Sequence, residues 1–319
     1  MGRPDSGNLV STSDRFGLAW KRYGVYGLLL FVMVVWGASF VAARMVLYAD
    51  SPGGATLSPT MLATVRFLLA SAIFLPILYR QHVQVQPLKL RDIPTFLLLG
   101  QLGISIYFWL QYTGVQLTNA GISSVLVVGL IPLATMVISG ATLREPLGVK
   151  RALALALGAV GVGVVVSQKG LQVALESGFL FGAICLIGNA FAFALYSTSI
   201  RGIRARYASL TTTAGFMIGG TVGLLLLSLL TEDWSGVTRL STGQWISIVY
   251  LAVVCSVLAY LFYNYALSQI EATKVSAWVY LEPVVAVLLG AAMLNEAVAA
   301  QTVVGGLIIL GSLLVTQRS

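Results

Sequence analysis

Glu282 is the residue of this sequence whose type and position most directly suggest chemistry. It lies next to Pro283 in an apolar stretch, where an ionisable group is costly unless it has a partner, water or a function. A carboxyl group there can bind the amino group of a substrate or carry a coupling proton. The alternative is a protonated acid that donates to a backbone carbonyl freed by the proline, and both interpretations stay open.

Pro132 and Pro283 each stand in the middle of an apolar segment. Proline lacks an amide hydrogen and its ring presses on the carbonyl four residues earlier, so each is expected to kink its helix. Carbonyls exposed at such a kink can accept hydrogen bonds from a substrate ammonium group. We therefore predict a pair of hinges, and the alternative is a kink that only sets the shape of the helix.

Aromatic and small polar side chains recur inside the apolar stretches, beyond the Trp and Tyr residues that membrane interfaces ordinarily attract. Rings with a few polar tips form a suitable wall for a flat, partly apolar substrate. For any single residue, packing or hydrogen bonding between helices is the competing explanation. The predicted substrate-binding residues are Trp36, Ser39, Phe40, Tyr107, Gln111, Asn189, Tyr260, Asn264, Trp278 and Glu282.

Other reactive residue types carry little chemistry here. Cys185 and Cys255 lie in apolar segments without a CxxC partner, so we expect packing cysteines and neither a metal nor a cofactor. The single histidine, His82, falls in a loop and no HExxH motif occurs, which argues against an enzyme. Arg44 and Arg66 are expected to snorkel to the membrane interface, and the alternative is that they guard an exit.

The composition is that of a membrane protein with many helices. Hydrophobic residues make up 58% of the 319 residues and charged residues only 9%, where a soluble domain has about a quarter charged. The net charge of +8 sits in short loops and is not gathered on one face, so we expect a lipid bilayer as the partner and no nucleic acid.

An internal duplication organises the chain. The stretch from Trp109 to Glu145 is matched by the stretch from Tyr260 to Glu296, and Pro132 precedes Pro283 by 151 residues (283 − 132). Glu282 is matched by Ile131, so the duplication itself does not require an acid at that position.

Hydropathy divides the chain into ten apolar segments, each near the length that crosses a bilayer. The first five are Tyr26–Tyr48, Pro59–Tyr79, Ile93–Val115, Ile122–Thr142 and Ala152–Ser167. The second five are Gly178–Ile200, Thr211–Leu230, Trp245–Leu267, Thr273–Leu294 and Ala299–Thr316. Glycines in the fifth segment indicate close helix packing.

The charges orient these segments. With the N-terminus in the cytosol, fifteen of the nineteen lysines and arginines fall on the cytosolic side, which favours both termini inside. Five spans per half then make the two copies cross the membrane in opposite directions. We predict an all-α polytopic membrane protein of ten transmembrane helices in an inverted 5+5 repeat. Its predicted parts are a tail at 1–25, repeats at 26–168 and 178–319, and a linker at 169–177.

The motifs resemble those of a known family. They are Trp36-Gly37-Ala38-Ser39-Phe40, the mid-span prolines, the closing Glu145 and Glu296, and the glycine pairs Gly158/Gly163 and Gly306/Gly311. With these motifs the chain resembles the drug/metabolite transporter superfamily, within it the ten-helix EamA-type permeases, and more narrowly the YddG-like exporters of aromatic amino acids. It departs from an even duplication at Gly188-Asn189-Ala190-Phe191, where the tryptophan is missing, so the two halves are expected to differ in chemistry.

The resemblance implies a secondary transporter that exports small metabolites across the bacterial inner membrane by alternating access. It implies a central cavity between the first, third, fourth, sixth, eighth and ninth spans, and neutral or aromatic amino acids as cargo. Glu145 and Glu296 are interpreted as helix caps. Other cargoes, namely cationic drugs, nucleosides or nucleotide sugars, stay open, as does a membrane assembly protein that transports nothing. The oligomeric state is open, with a monomer the simplest expectation.

Overall fold

The computed structural model describes residues 12–48, 56–143, 149–167, 178–270, 275 and 278–317. Throughout these ranges the regular structure is helical. The long helices are α1 (Thr12–Leu47), α2 (Pro59–Gln84), α3 (Leu90–Leu117), α4 (Ala120–Leu143), α5 (Val149–Val166), α6 (Phe179–Ser199), α7 (Ser209–Thr231), α8 (Thr242–Gln269), α9 (Leu281–Leu294) and α10 (Ala300–Gln317). A short helix, Arg201–Arg204, lies between α6 and α7.

Seven of these helices contain segments long and apolar enough to cross a bilayer, so the predicted polytopic membrane class is confirmed. They are the segments Gly24–Leu47, Pro59–Gln84, Leu90–Leu117, Ala120–Ile138, Phe179–Ser199, Ser209–Thr231 and Thr242–Gln269. Shorter apolar helices occur at Ala152–Val166, Leu281–Leu294 and Ala300–Ser312. Helix α1 begins at Thr12, inside the predicted tail, because no proline interrupts the chain between Thr12 and the apolar segment.

The helices of the first half pack mainly on those of the second. Helix α1 lies against α8 and α9, and α6 lies against α3 and α4. Helix α2 packs on α7, and α5 packs on α10. The counterparts of α1 to α5 are α6 to α10 in the same order. When each helix is replaced by its counterpart, the same set of pairings results.

Two π-helical segments interrupt the regular helices. One is Gln101–Ile106 in α3 and the other is Tyr250–Leu258 in α8. Adding 151 to the first range gives 252–257, which falls inside the second, so the duplication extends to the backbone irregularity. Such segments leave carbonyl groups without their usual partners and are frequent at functional sites.

The two prolines behave differently. Pro132 lies inside α4, which runs through it as one helix. Helix α9 instead begins at Leu281, and the Glu282 amide donates to the Val279 carbonyl at 3.0 Å. Pro283 thus sits in a first helical turn, where its missing amide hydrogen costs nothing. The helix is interrupted just before Pro283. At this proline the predicted kink therefore takes the form of a helix start.

Glu296 acts as a cap, as predicted, but for a helix of the other half. Its carboxylate accepts from the Ala120 amide at 3.0 and 3.1 Å and from the Gly121 amide at 3.4 Å, at the start of α4. Arg44 lies 3.8 Å from the same carboxylate and donates to the carbonyls of Val115 and Gln116 at 2.6 Å. The guanidinium of Arg44 is thus held at the ends of α3 and α9, and its expected snorkelling to the interface stays a prediction. Glu145 lies outside the described residues.

Glycines let α5 and α10 approach closely. A Cβ on Gly161 would lie 2.8 Å from the Gly305 carbonyl oxygen, whereas a Cβ on Gly163 would meet nothing within 4 Å. The predicted close packing of this glycine-rich helix is confirmed at Gly161 and not at Gly163.

We expect Gly161→Ala to lower the free energy of unfolding by about 1–3 kcal/mol, because the methyl group forces the two backbones apart. Gly163→Ala is the matched control, and it should leave stability unchanged or raise it by up to ~1 kcal/mol through helix propensity. Midpoints of SDS-induced unfolding measure both. Equal midpoints for the two variants would contradict the close approach.

Candidate functional site

Three charged side chains are buried among the described residues; Asp92 pairs with Arg206 at the start of α3, and the other two define the candidate site. Glu282 on α9 is 7% exposed and Arg66 on α2 is 3% exposed. Charges at such positions are expensive in an apolar medium and generally mark function. Glu282 and Arg66 therefore mark the centre of the candidate site.

Glu282 lies where α9 packs tightly against α1. A Cβ on Gly37 would be 2.7 Å from both the Glu282 carbonyl oxygen and the Val285 Cβ, so only glycine fits. In the described part of the chain, no hydrogen bond or ion pair reaches the Glu282 carboxylate. The alternative of an acid that donates to a freed carbonyl thus has no matching bond among these residues.

Trp36 joins α1 to α8 beside this contact. Its Nε1 donates to the Cys255 carbonyl in the π-helical segment at 3.1 Å. The indole ring packs against Tyr260 and Tyr263, with centroids 5.5 and 5.1 Å apart. The tyrosine hydroxyl of Tyr250 donates to the Val35 carbonyl at 2.8 Å. The predicted residues Trp36 and Tyr260 are therefore brought together, with the indole N–H already paired.

The pair of helices equivalent to α1 and α8 is α6 and α3, and it is joined by an amide instead of an indole. Asn189 on α6 donates through Nδ2 to the Tyr107 carbonyl of α3 at 2.7 Å, and the Tyr107 ring lies 5.6 Å from that of Phe193. Among described residues, the buried Asn189 Oδ1 and Gln111 Oε1 have no hydrogen-bond partner. This difference between indole and amide matches the expectation that the halves differ in chemistry.

Both clusters face the same interior. Arg66 contacts both: its Cζ lies 4.5 Å from the Phe108 ring, which packs on Tyr107 with centroids 4.8 Å apart, and its Nε donates to Ser256, next to Cys255. Rings and amides from α1, α3, α6 and α8 therefore lie close to Arg66 or Glu282, and such groups suit a small molecule that carries both apolar surface and charge.

The other predicted residues have local partners. Asn264 donates to Thr213 on α7 at 3.2 Å, which agrees with the alternative explanation of a hydrogen bond between helices. Ser39 donates to the Trp36 carbonyl of its own helix at 2.6 Å, and Phe40 is buried in the core. Trp278 stacks on Tyr26, with centroids 6.0 Å apart. Among other aromatic residues of the spans, Trp109 is 38% and Tyr265 is 49% exposed, so these two rings face away from the interior.

Arg66 is the residue that the sequence interpretation missed, because its expected snorkelling is wrong. Its Nε donates to Ser256 at 2.9 Å and its Nη1 to the Tyr112 hydroxyl at 2.5 Å. Its Cζ lies 4.5 Å above the Phe108 ring. The position of Arg66 in its span could have revealed this burial. Arg66 follows the start of α2 at Pro59 by seven residues, which is about 10 Å along a helix.

Comparison with known proteins identifies the family. The sequence profile of the EamA-like transporter family matches residues 24–167 and again residues 180–317. The chain belongs to the EamA-like transporter family. This EamA-like protein is therefore a membrane transporter.

Individual relatives agree with that assignment. The chain is 27% identical over 294 residues to "Uncharacterized transporter YyaM" of Bacillus subtilis, covering 92% of this chain and 93% of that one. It is 26% identical over 292 residues to the "Probable terminal-alkyne amino-acid exporter" of Streptantibioticus cattleyicolor, covering 91% and 93%. A crystal structure with 18% identity superimposes with a TM-score of 0.61 over 93% of this EamA-like chain and 97% of its own, which supports the fold.

We expect Gly37→Ala to lower the thermal unfolding temperature of this EamA-like transporter by several degrees, because the new methyl group collides with the Glu282 carbonyl. Gly27→Ala on the same helix is the control, since a Cβ there meets nothing within 4 Å. Unfolding is followed in detergent by intrinsic fluorescence. An unchanged temperature for Gly37→Ala would show that α1 and α9 are not in contact at Glu282.

Proposed function

We propose that this EamA-like transporter exports neutral amino acids, aromatic ones above all, by alternating access around the interior site. The observation that carries the proposal is the buried Glu282 carboxylate, which has no partner among the described residues. Its backbone packs on Gly37, next to Trp36, whose ring packs against Tyr260 and Tyr263 of the other half. A carboxylate attracts a substrate ammonium group and rings suit an aromatic side chain. The similarity to a relative named as an amino-acid exporter supports the same cargo class.

The proposed topology is ten membrane crossings in an inverted 5+5 repeat, with both termini in the cytosol. Several observations support it. The family profile matches the chain twice, the helix pairings map onto themselves when the halves are exchanged, and the first π-helical segment shifted by 151 residues falls inside the second. The excess of basic residues on one side supports the orientation. The proposed repeats are residues 26–168 and 178–319.

An inverted repeat supplies the mechanism, because the motion that closes one side has a counterpart that closes the other. The contacts of Arg44 and Glu296 tie the ends of α1, α3 and α9 to the start of α4. On the proposed orientation these contacts close the outer side. Pro132 and Pro283 remain the predicted hinges, with the start of α9 next to Glu282.

The proposed setting is the bacterial inner membrane. The partners there are the lipid bilayer and the small-molecule substrate, namely amino acids and related metabolites. No cofactor or nucleic acid enters the proposal, and a monomer is sufficient for transport through one interior site.

A cationic drug is the second candidate cargo, because an acid without a partner attracts cations. The nearby buried Arg66 weighs against it, since a net positive cargo meets a like charge. Nucleotide sugars call for several buried basic residues, and in the described ranges Arg66 is the buried one.

Counterflow in proteoliposomes tests the function. Purified protein is reconstituted with unlabelled phenylalanine inside, and labelled phenylalanine, tryptophan or threonine is supplied outside. We expect transient accumulation of label above equilibrium, at a rate well over that of protein-free liposomes. Accumulation of a cationic dye without any amino acid would favour the second candidate, and no counterflow with a range of amino acids would contradict the leading one.

Glu282→Gln should reduce amino-acid counterflow by about tenfold or more, because a neutral amide loses the charge that attracts the ammonium group. Glu232→Gln, at the end of α7 and outside the candidate spans, is the matched control and should behave as the unaltered protein. Rates are measured at several pH values. Unchanged rates and pH dependence for Glu282→Gln would exclude both the ammonium and the proton role.

A further inference from the structure

Arg66 is a buried cation whose contacts are all to neutral groups. Its Nε and Nη1 donate to the hydroxyls of Ser256 and Tyr112, and the rings of Phe108 and Phe67 lie 4.5 and 5.0 Å from its Cζ. Within the described residues, no carboxylate lies within ion-pairing distance of it. The guanidinium keeps its charge in any accessible pH range, so burial cannot be relieved by loss of a proton.

These contacts hold the guanidinium in place and leave part of it available. Ser256 comes from the π-helical segment of α8 and Tyr112 from α3, so the two bonds fix the fork from two sides. Neither bond uses Nη2, and no hydrogen bond from Nη2 to a described residue occurs. A planar fork with free N–H groups is suited to a carboxylate, which it can bind through two parallel hydrogen bonds.

Arg66 and Glu282 belong to one interior and do not neutralise each other. Arg66 donates to Ser256, and the carbonyl of the adjacent Cys255 accepts from Trp36. The next residue, Gly37, packs against the Glu282 backbone. Yet the structure has no ion pair between them. Two opposite buried charges kept apart are each satisfied when a molecule with both charges lies between them.

We propose that Arg66 binds the substrate carboxylate while Glu282 faces the substrate ammonium group, so that the recognised cargo is a zwitterion. This inference rests on the proposed amino-acid transport and adds the group that holds the other end of the substrate. Tyr112 and Ser256 are positioning residues that aim the guanidinium. The competing role for Arg66 is a strut between α2, α3 and α8, which would be indifferent to the charge of the cargo.

The recognition has a clear consequence for specificity. A zwitterion satisfies both charges, whereas an amine without a carboxylate leaves Arg66 unpaired. A site built to bind a charged group rejects an analogue that lacks it, because its own buried group is left without a partner. Phenylalanine and phenylalanine amide differ at this group and share the ring and the ammonium group.

The experiment compares the two compounds in proteoliposome counterflow. We expect the unaltered transporter to prefer phenylalanine over its amide by about ten- to hundredfold in kcat/KM. Arg66→Gln should bring that ratio close to one, mainly by raising KM for phenylalanine. Arg239→Gln, in the exposed connection between α7 and α8, is the control and should keep the full ratio.

The outcomes separate the claims. Equal transport of acid and amide by the unaltered protein, or an unchanged ratio in Arg66→Gln, would overturn the Arg66 proposal and leave amino-acid transport standing. Transport of neither compound, nor of any other amino acid, would contradict the proposed function itself.

A second variant guards against misfolding of Arg66→Gln. Tyr112→Phe keeps the ring and removes the hydroxyl that aims the guanidinium. We expect it to raise KM for phenylalanine severalfold and to leave KM for the amide unchanged. Equal changes for both compounds would show that the Arg66 contacts only support the fold.

Discussion

Two opposite charges that are buried without meeting each other set the conditions for the rest of this structure. Arg66 and Glu282 lie among apolar and aromatic side chains, where a buried charge is energetically costly. The surrounding helices respond differently to each. Arg66 is held by two hydroxyls and by ring faces, whereas the Glu282 carboxylate receives no hydrogen bond from a described residue. The missing partner of the Glu282 carboxylate is therefore what the proposed substrate would supply.

Irregular backbone segments lie next to both charges. The π-helical segment of α8 provides the Cys255 carbonyl that accepts from Trp36, and it also carries Ser256. The start of α9 at Leu281 places Glu282 in a first turn, where α1 can approach because residue 37 is glycine. In a bilayer, such departures from a regular helix are tolerated only where protein covers them or a cavity receives them. The irregular segments therefore coincide with the candidate site.

The two halves are alike in architecture and different in chemistry. Helices α1 and α8 are joined by an indole donor, while the equivalent α6 and α3 are joined by an amide donor with a free oxygen. Duplication preserves helix packing because packing depends on size and periodicity. A substrate has no two-fold symmetry, so the proposed site between the halves requires different groups from each, and Glu282, where the first half has Ile131, fits that requirement.

The sequence by itself determined the membrane class, the apolar segments, the internal duplication and the choice of Glu282 as a candidate site residue. These follow from hydropathy, self-similarity and the cost of charge in lipid, which are local properties. Only the tertiary structure decided which face of each helix meets a neighbour. Arg66 is contacted by Tyr112 and Ser256, which lie 46 and 190 residues away along the chain. Asn264 donates to Thr213 of a neighbouring helix. Apolar helices in lipid carry little amphipathic pattern to mark an inner face, so these contacts arise from packing, which a sequence read helix by helix does not contain.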